Sequence, residues 1–312
     1  MSRGCSLFTA LLAVCVGGLT AVPSVSAAWV AADGDLSDWG INFAGNTPQY
    51  HASLANQAST THLMTMQATI GGFTFFYVRE DSDDSAGDSG FVGPNVGGQN
   101  YDGEFLGVGV SGNQLVIAIM TGQRPDNGAT KYAPGDILIS TTLGDFGIEV
   151  GGGAGGVAGS AAAITEGADG TTYSVNGQGF TTGSTNSSVY TAGSVWHQPN
   201  WIVDPIPDPY TKVQMQHAGG SYMGLADYIY TRNSISLQHA IIEVAIPFSY
   251  FLGADILSVA WAPSCGNDLL EVNGLGIHTA PEPASLAMLA FGGVAVGFVR
   301  RRRTPRDASA PA

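Results

Sequence analysis

Residues Glu104-Phe105-Leu106-Gly107-Val108-Gly109-Val110, Ser111-Gly112-Asn113 and Gln114-Leu115-Val116-Ile117-Ala118-Ile119-Met120 decide the fold. Two apolar runs, each the length of a strand, flank three residues that suit a tight turn. Glycine accepts positive φ, and Asn and Ser hydrogen-bond nearby backbone. The stretch predicts an antiparallel hairpin. Similar runs lie on either side. Residues 72–79 (Gly-Phe-Thr-Phe-Phe-Tyr-Val-Arg) read as a strand, and 135–141 and 145–150 as a pair around Leu143-Gly144. Residues 171–175 and 187–190 are weaker strand signals within a stretch rich in Gly, Ser, Thr and Ala. Residues 222–231 read as a strand or a helical turn. Residues 240–247 end in Ile246-Pro247, an apolar turn follows at 248–252, and 256–262 is expected to be the last strand. No long stretch of helical period occurs between the two ends. The expectation is an all-β fold, a single antiparallel β-sandwich over residues 28–275 with long Gly- and Pro-rich loops. One such loop is expected at 196–210, where four prolines oppose regular structure.

Both ends read as addresses. Arg3, an apolar core at 7–19 and the small residues Val25-Ser26-Ala27 describe a signal peptide over 1–27, read by the Sec translocon. At the other end, a linker at 276–283 contains Pro281-Glu282-Pro283. An uncharged run of sixteen residues follows at 284–299, then Arg300-Arg301-Arg302-Arg303 within a basic tail at 300–312. Sixteen helical residues reach roughly 24 Å, enough to cross a membrane if the arginines snorkel and the bilayer thins. The arginines hold that end in the cytoplasm, which places the preceding domain outside. Motif, short span and basic stop, in this order, resemble the PEP-CTERM sorting signal. The resemblance implies recognition by a membrane-embedded exosortase, transient anchoring by the C-terminal helix, and delivery to the cell surface or extracellular matrix.

Residues 28–283 carry 24 acidic and five basic side chains, a net charge of −19. Such a domain repels nucleic acid and anionic lipid, and attracts divalent cations or basic partners. Cys5 and Cys15 fall in the signal peptide. Cys265 is the one cysteine left, so no intramolecular disulfide can form and a hydrophobic core must supply the stability.

Two short motifs bracket the domain. Asp33-Gly34-Asp35-Leu36-Ser37-Asp38-Trp39 opens it with a turn, and the Trp39 indole N–H needs a hydrogen-bond partner. Glu243-Val244-Ala245-Ile246-Pro247 closes a strand ahead of an apolar turn. Together they resemble DOMON-like domains and family-nine carbohydrate-binding modules. The resemblance implies a β-sandwich, a one-turn helix after Ile-Pro, and a carbohydrate-binding or haem-binding role.

Several residue sets could carry chemistry. Asp81, Asp83, Asp84 and Asp88, with Glu80 and, if the strands pair, Asp102 and Glu104, could offer the oxygens that calcium requires. Asp33, Asp35 and Asp38 are a second calcium candidate. Trp196, Trp201 and Tyr210, with Tyr222 nearby, could stack on sugar rings of an extracellular polysaccharide, or plug their loop onto the sandwich. Haem would need axial ligands, for which Met64, Met66, Met120 and His62 are available. Cys265 could pair with His239 or His278 as a nucleophile, but reads better as a small buried apolar residue. Asn186-Ser187-Ser188 has the form of a glycosylation sequon. Gly151-x-Gly153-x-x-Gly156 spells a dinucleotide fingerprint without the crossover helix it requires. The expected role is a non-catalytic binding or structural module of exopolysaccharide or biofilm matrix. The alternatives are a secreted enzyme acting on polysaccharide through paired carboxylates and a haem-binding electron carrier.

Overall fold

The computed structural model describes residues 30–44, 47–57, 63–80, 98, 101–123, 125, 134–151, 172–176, 192–204, 211–216, 220–231, 239–263, 266 and 268–279. The N-terminal half supplies β1 (Ile41–Ala44), β2 (Thr47–Tyr50), β3 (Met66–Ile70), β4 (Phe73–Arg79), β5 (Gly103–Ser111), β6 (Gln114–Thr121), β7 (Ile137–Thr141) and β8 (Gly144–Ile148). The C-terminal half supplies β9 (Thr172–Asn176), β10 (Ser194–His197), β11 (Asn200–Asp204), β12 (Thr211–Gln216), β13 (Ser221–Leu225), β14 (Asp227–Thr231), β15 (Ala240–Pro247), β16 (Asp255–Trp261) and β17 (Leu270–His278). No helix of seven or more residues occurs among the described residues. Two short 3-10 turns, Leu36–Trp39 and Phe248–Phe251, sit at the two motifs that bracket the domain.

The strands form an antiparallel β-sandwich. One sheet has seven strands in the order β3-β4-β5-β6-β15-β14-β9, and the other has six in the order β13-β10-β8-β7-β16-β17. The hairpins β1–β2 and β11–β12 stand apart from both sheets. Between the sheets lies the main core, with Val78, Leu106, Ile117 and Ile119 from the first sheet and Ile139, Phe146, Val259 and Trp261 from the second. The expected hairpin is present as β5–β6, with Ser111 paired to Gln114 across the turn.

The seven-stranded sheet is buried on both faces. Its outer face carries Phe73, Phe75, Tyr77, Phe105, Ala118 and Met120, and the segment from Val30 to Leu54 lies across it through Val30, Leu36, Trp39, Ile41 and Leu54. The central strands therefore bury residues of both parities: β5 is buried at every position but Val110, and β15 at every position but Pro247. A strand covered on both sides is largely apolar on both parities, which is why these runs lack alternation in the sequence, Glu104 and Glu243 apart.

Trp39 is the keystone of the outer layer. Its ring meets Phe73 and Phe75 edge-on at centroid distances of 5.1 and 5.0 Å. Edge-to-face contacts of this kind add to the large apolar area an indole buries. Gly107 makes the room: a Cβ there would stand 2.6 Å from the Trp39 ring.

Several expectations need correction. Residues 196–210 are not one irregular loop, because Trp196 and His197 complete β10 and Asn200–Asp204 form β11. Pro199 falls between these strands, so ladder hydrogen bonds survive on either side of it. Residues 222–231 contain two strands, β13 and β14, with no helical turn. The last strand among the described residues is β17 rather than 256–262, and it runs through 276–278, inside the expected linker. The strand signal at 187–190 lies outside the described residues.

The Gly107→Val variant should be destabilised by roughly 1–3 kcal/mol, since a branched side chain at this position must displace the indole. Urea denaturation of the sandwich domain measures this. Unchanged stability would show that Trp39 does not lie against β5.

Candidate functional site

The two bracketing motifs meet at a single carboxylate. Glu243 lies on β15 opposite Ala118 of β6 and Ile229 of β14. Its side chain enters the outer apolar layer between Ile241 and Ala245. Oε1 accepts a hydrogen bond from the Trp39 indole Nε1 at 2.8 Å. Oε2 accepts from the backbone N–H groups of Gly34 at 2.7 Å and Asp33 at 3.1 Å. This supplies the partner that the Trp39 indole requires.

The local sequence shapes the donors. Asp33 accepts from the Asp35 backbone N–H and Asp35 from that of Ser37, each at 2.9 Å. Gly34 and Gly40 adopt positive φ, 82° and 78°, and close the two ends of the turn. A side chain at Gly34 would also collide with Thr231. Asp33 and Asp35, two members of the second calcium candidate, thus serve as caps of the turn. Among the described residues no group of three or more His, Cys, Asp or Glu is arranged to hold a metal ion.

The electrostatics of the clasp oppose one another. Burial pushes the Glu243 carboxyl up from 4.5 to about 7, against the pull of its hydrogen bonds from Gly34, Trp39 and Asp33. Asp38 is also raised, by burial first and then by the charges of Asp33 and Asp35.

A second concentration of buried polar groups lies where β4 ends and β5 begins. Arg79, Glu80, Asp102, Glu104 and Gln123 are all buried there. Pairing of β4 with β5 brings Glu80 to Glu104, whose backbone O accepts from the Glu80 N–H at 3.0 Å. The Arg79 guanidinium lies 3.4 Å from the centre of the Tyr50 ring and donates to Leu54 O at 2.7 Å. Glu104 accepts from the Tyr50 hydroxyl at 3.5 Å and stands 3.3 Å from His239 Nε2. Asp102 and Glu104 thus reach the strand end that the acidic stretch follows in the sequence. Asp81, Asp83, Asp84 and Asp88 themselves lie outside the described residues.

The aromatic set divides. Trp196 is buried, tilted against Tyr222 at 5.5 Å, and its Nε1 donates to Ser194 Oγ at 3.3 Å, so it offers no open stacking face. Trp201 is half-buried over β8, and Tyr222 is exposed. Tyr210 lies outside the described residues. Of the axial-ligand set, Met64 is exposed, Met66 and Met120 pack in the outer apolar layer, and His62 lies outside the described residues. His239 turns to Glu104, and His278 Nδ1 stands 2.7 Å from Asp255 Oδ1. Cys265 lies outside the described residues, as do the sequon at Asn186 and all of the glycine fingerprint beyond Gly151.

Sequence reasoning missed Glu243 as a structural centre. A carboxylate within an otherwise apolar strand run was the available signal, because a buried charge must find donors.

The architecture is that of a β-sandwich protein built on a doubly covered sheet. A protein-family model for the PEP-CTERM protein-sorting motif matches residues 279–303. The motif marks an exported protein whose C-terminal tail is anchored and handled by an exosortase. No curated protein and no solved structure matches the chain. The resemblance of the sandwich to DOMON-like domains and family-nine modules rests on its two short motifs alone. No helix among the described residues is long and apolar enough to cross a membrane, and the run at 284–299 lies outside them.

The raised Glu243 makes stability depend on pH in a definite direction. Between about 4.5 and about 7 the folded state binds more protons than the unfolded chain. Its contribution is therefore full below about 4.5 and is lost as pH rises through about 7, a change on the order of 3 kcal/mol. In the Glu243→Gln variant this part of the pH dependence should vanish. Melting curves across that range check it, and parallel profiles for both proteins would contradict the assignment.

Proposed function

We propose that the chain acts after export as a non-catalytic binding or structural module at the cell surface or in the extracellular matrix. One observation carries the reading: the sandwich ends where the sorting motif begins. β17 closes at His278, Thr279 is buried with its hydroxyl donating to Ala254 O at 2.6 Å, and the matched motif starts at Thr279. The sorting signal is therefore attached directly to the folded domain, and what the tail's processing would release is an acidic sandwich. The roles of four described carboxylates support a structural over a catalytic reading. Glu243 holds the N-terminal segment. Asp136 accepts from the backbone N–H groups of Val150 at 3.0 Å and Met215 at 2.7 Å. Asp33 and Asp35 cap a turn.

Calcium belongs to the same reading. The loop bearing Asp81, Asp83, Asp84 and Asp88 follows the strand end where Glu80, Asp102 and Glu104 gather, and an exported domain of net charge −19 has reason to attract cations. A ligand that binds only the folded state raises its stability. Calorimetry of the exported domain should therefore show a higher melting temperature with calcium than with chelator, and the Asp81→Asn, Asp83→Asn, Asp84→Asn triple variant should abolish the difference. An unchanged melting temperature for the parent protein would remove calcium from the account.

Replacing Pro281, Glu282 and Pro283 by alanine should leave the protein in the membrane fraction. Release equal to that of the parent protein would refute exosortase sorting. Released protein should be retained on extracellular polymer without liberating sugar. Sugar release that one carboxylate substitution abolishes would establish the enzymatic alternative instead.

A further inference from the structure

The chain leaves the sandwich at a place that the hydrogen bonds define closely. Thr279 is tied to Ala254, His278 to Asp255, and Asp255 to Thr142 through two hydrogen bonds of 3.0 Å, one in each direction. Leu143 follows Thr142, and Leu252 stands two residues before Ala254. Both are exposed, at 48% and 55%. The Phe248–Phe251 turn also joins the β5–β6 turn, because the Phe248 N–H donates to Asn113 O at 3.0 Å. Val110, one residue from that turn, and Leu257, two residues from Asp255, are exposed as well. Four of the seven exposed large apolar residues among those described thus belong to this one end.

Leu252 is doubly out of place in water. Its φ is +57°, a left-handed conformation that glycine or asparagine adopts with less strain, and its apolar side chain faces solvent. The strain belongs to its place as the left-handed cap that ends the Phe248–Phe251 turn. The acidic groups at this end have polar partners, and exposed Asp227 accepts from Gln114 Nε2 at 3.5 Å. Asp255 faces His278, and Asp145 is paired with Lys212. Buried Glu80, Asp102 and Glu104 lie at the opposite ends of β4 and β5.

Only residues 280–283 separate Thr279 from the uncharged run. Fully extended, five Cα steps span roughly 17 Å. While the tail is anchored, this end cannot move further than that from the bilayer surface.

We propose that the end of the sandwich bearing Leu143 and Leu252 docks on the lipid surface, with both leucines in the headgroup layer, until the tail is processed. The inference rests on the anchoring reading of the sorting motif. The short tether makes the contact intramolecular, so two apolar side chains suffice to hold an orientation that they could not hold as a free protein. The docked pose keeps the acidic end turned away from the membrane. On a zwitterionic surface the contact is apolar, so it is insensitive to salt.

The test uses the full chain reconstituted in vesicles of brominated phosphatidylcholine. An indole is added in the Leu143→Trp and Leu252→Trp variants, and in Asn56→Trp as a control. Asn56 is exposed beside Gln57, whose backbone N–H donates to Arg79 O at the far end of β4. Indoles at 143 and 252 should shift to the blue and be quenched by the brominated chains, and the control should not. Protein that floats with the vesicles yet shows no quenching at 143 or 252 overturns docking and leaves anchoring intact. Protein that does not float overturns both. A Leu252→Asn variant adds an independent arm. It should raise the melting temperature by relieving the left-handed strain, and should reduce quenching of the indole at 143. A fall in melting temperature with quenching unchanged would mean that Leu252 serves only the fold.

Discussion

The Glu243 carboxylate is the interaction on which the arrangement depends. It is a buried acid in the middle of a central strand, and it survives there because the N-terminal segment brings three donors to it. Without them, an apolar strand would hold a charge with no partner, a cost of several kcal/mol. Without the carboxylate, the buried Trp39 indole N–H would lose its acceptor, and so would two part-buried backbone N–H groups. Each half is tolerable only because of the other. The N-terminal segment is thereby fixed as part of the domain rather than left as a leader to it.

This clasp has consequences for packing. With the segment in place, the seven-stranded sheet has two apolar faces, one against the six-stranded sheet and one beneath Trp39, Ile41 and Leu54. The second core is aromatic and depends on Gly107 to admit the indole. A chain with a large net negative charge gains from this additional burial, because self-repulsion works against a compact state. The clasp lies on the outer face of the seven-stranded sheet, whereas the strand that leads to the sorting motif, β17, is at the edge of the six-stranded sheet.

Much of the fold was legible because burial on both faces leaves a strong trace. The runs that became β4, β5, β6 and β15 are continuous and apolar, and each reads as a strand without any partner in view. The strands that went unseen carry weaker signals for physical reasons. β17 includes Asn273 and two glycines with positive φ, Gly274 and Gly276, around an irregularity in its pairing with β16. β2 contains Pro48, which a two-stranded hairpin tolerates and a central strand does not. β12 alternates Lys212, Gln214 and Gln216 with Val213 and Met215, a pattern that gains its meaning only from the Asp136 carboxylate that anchors Met215. The clasp itself was written in two places. An indole that needed an acceptor and a carboxylate that needed donors stand 204 residues apart, and only the fold makes them neighbours.

The most direct test of this account is the Trp39 indole N–H itself, followed by nuclear magnetic resonance in the exported domain. If Glu243 accepts from it, the proton should exchange only through opening of the whole domain, and its shift should titrate with a midpoint near the Glu243 value of about 7. Rapid exchange, or a shift that does not move as the solution passes from mildly acidic to mildly basic, would contradict the account, because the N-terminal segment would then be held by something other than this carboxylate.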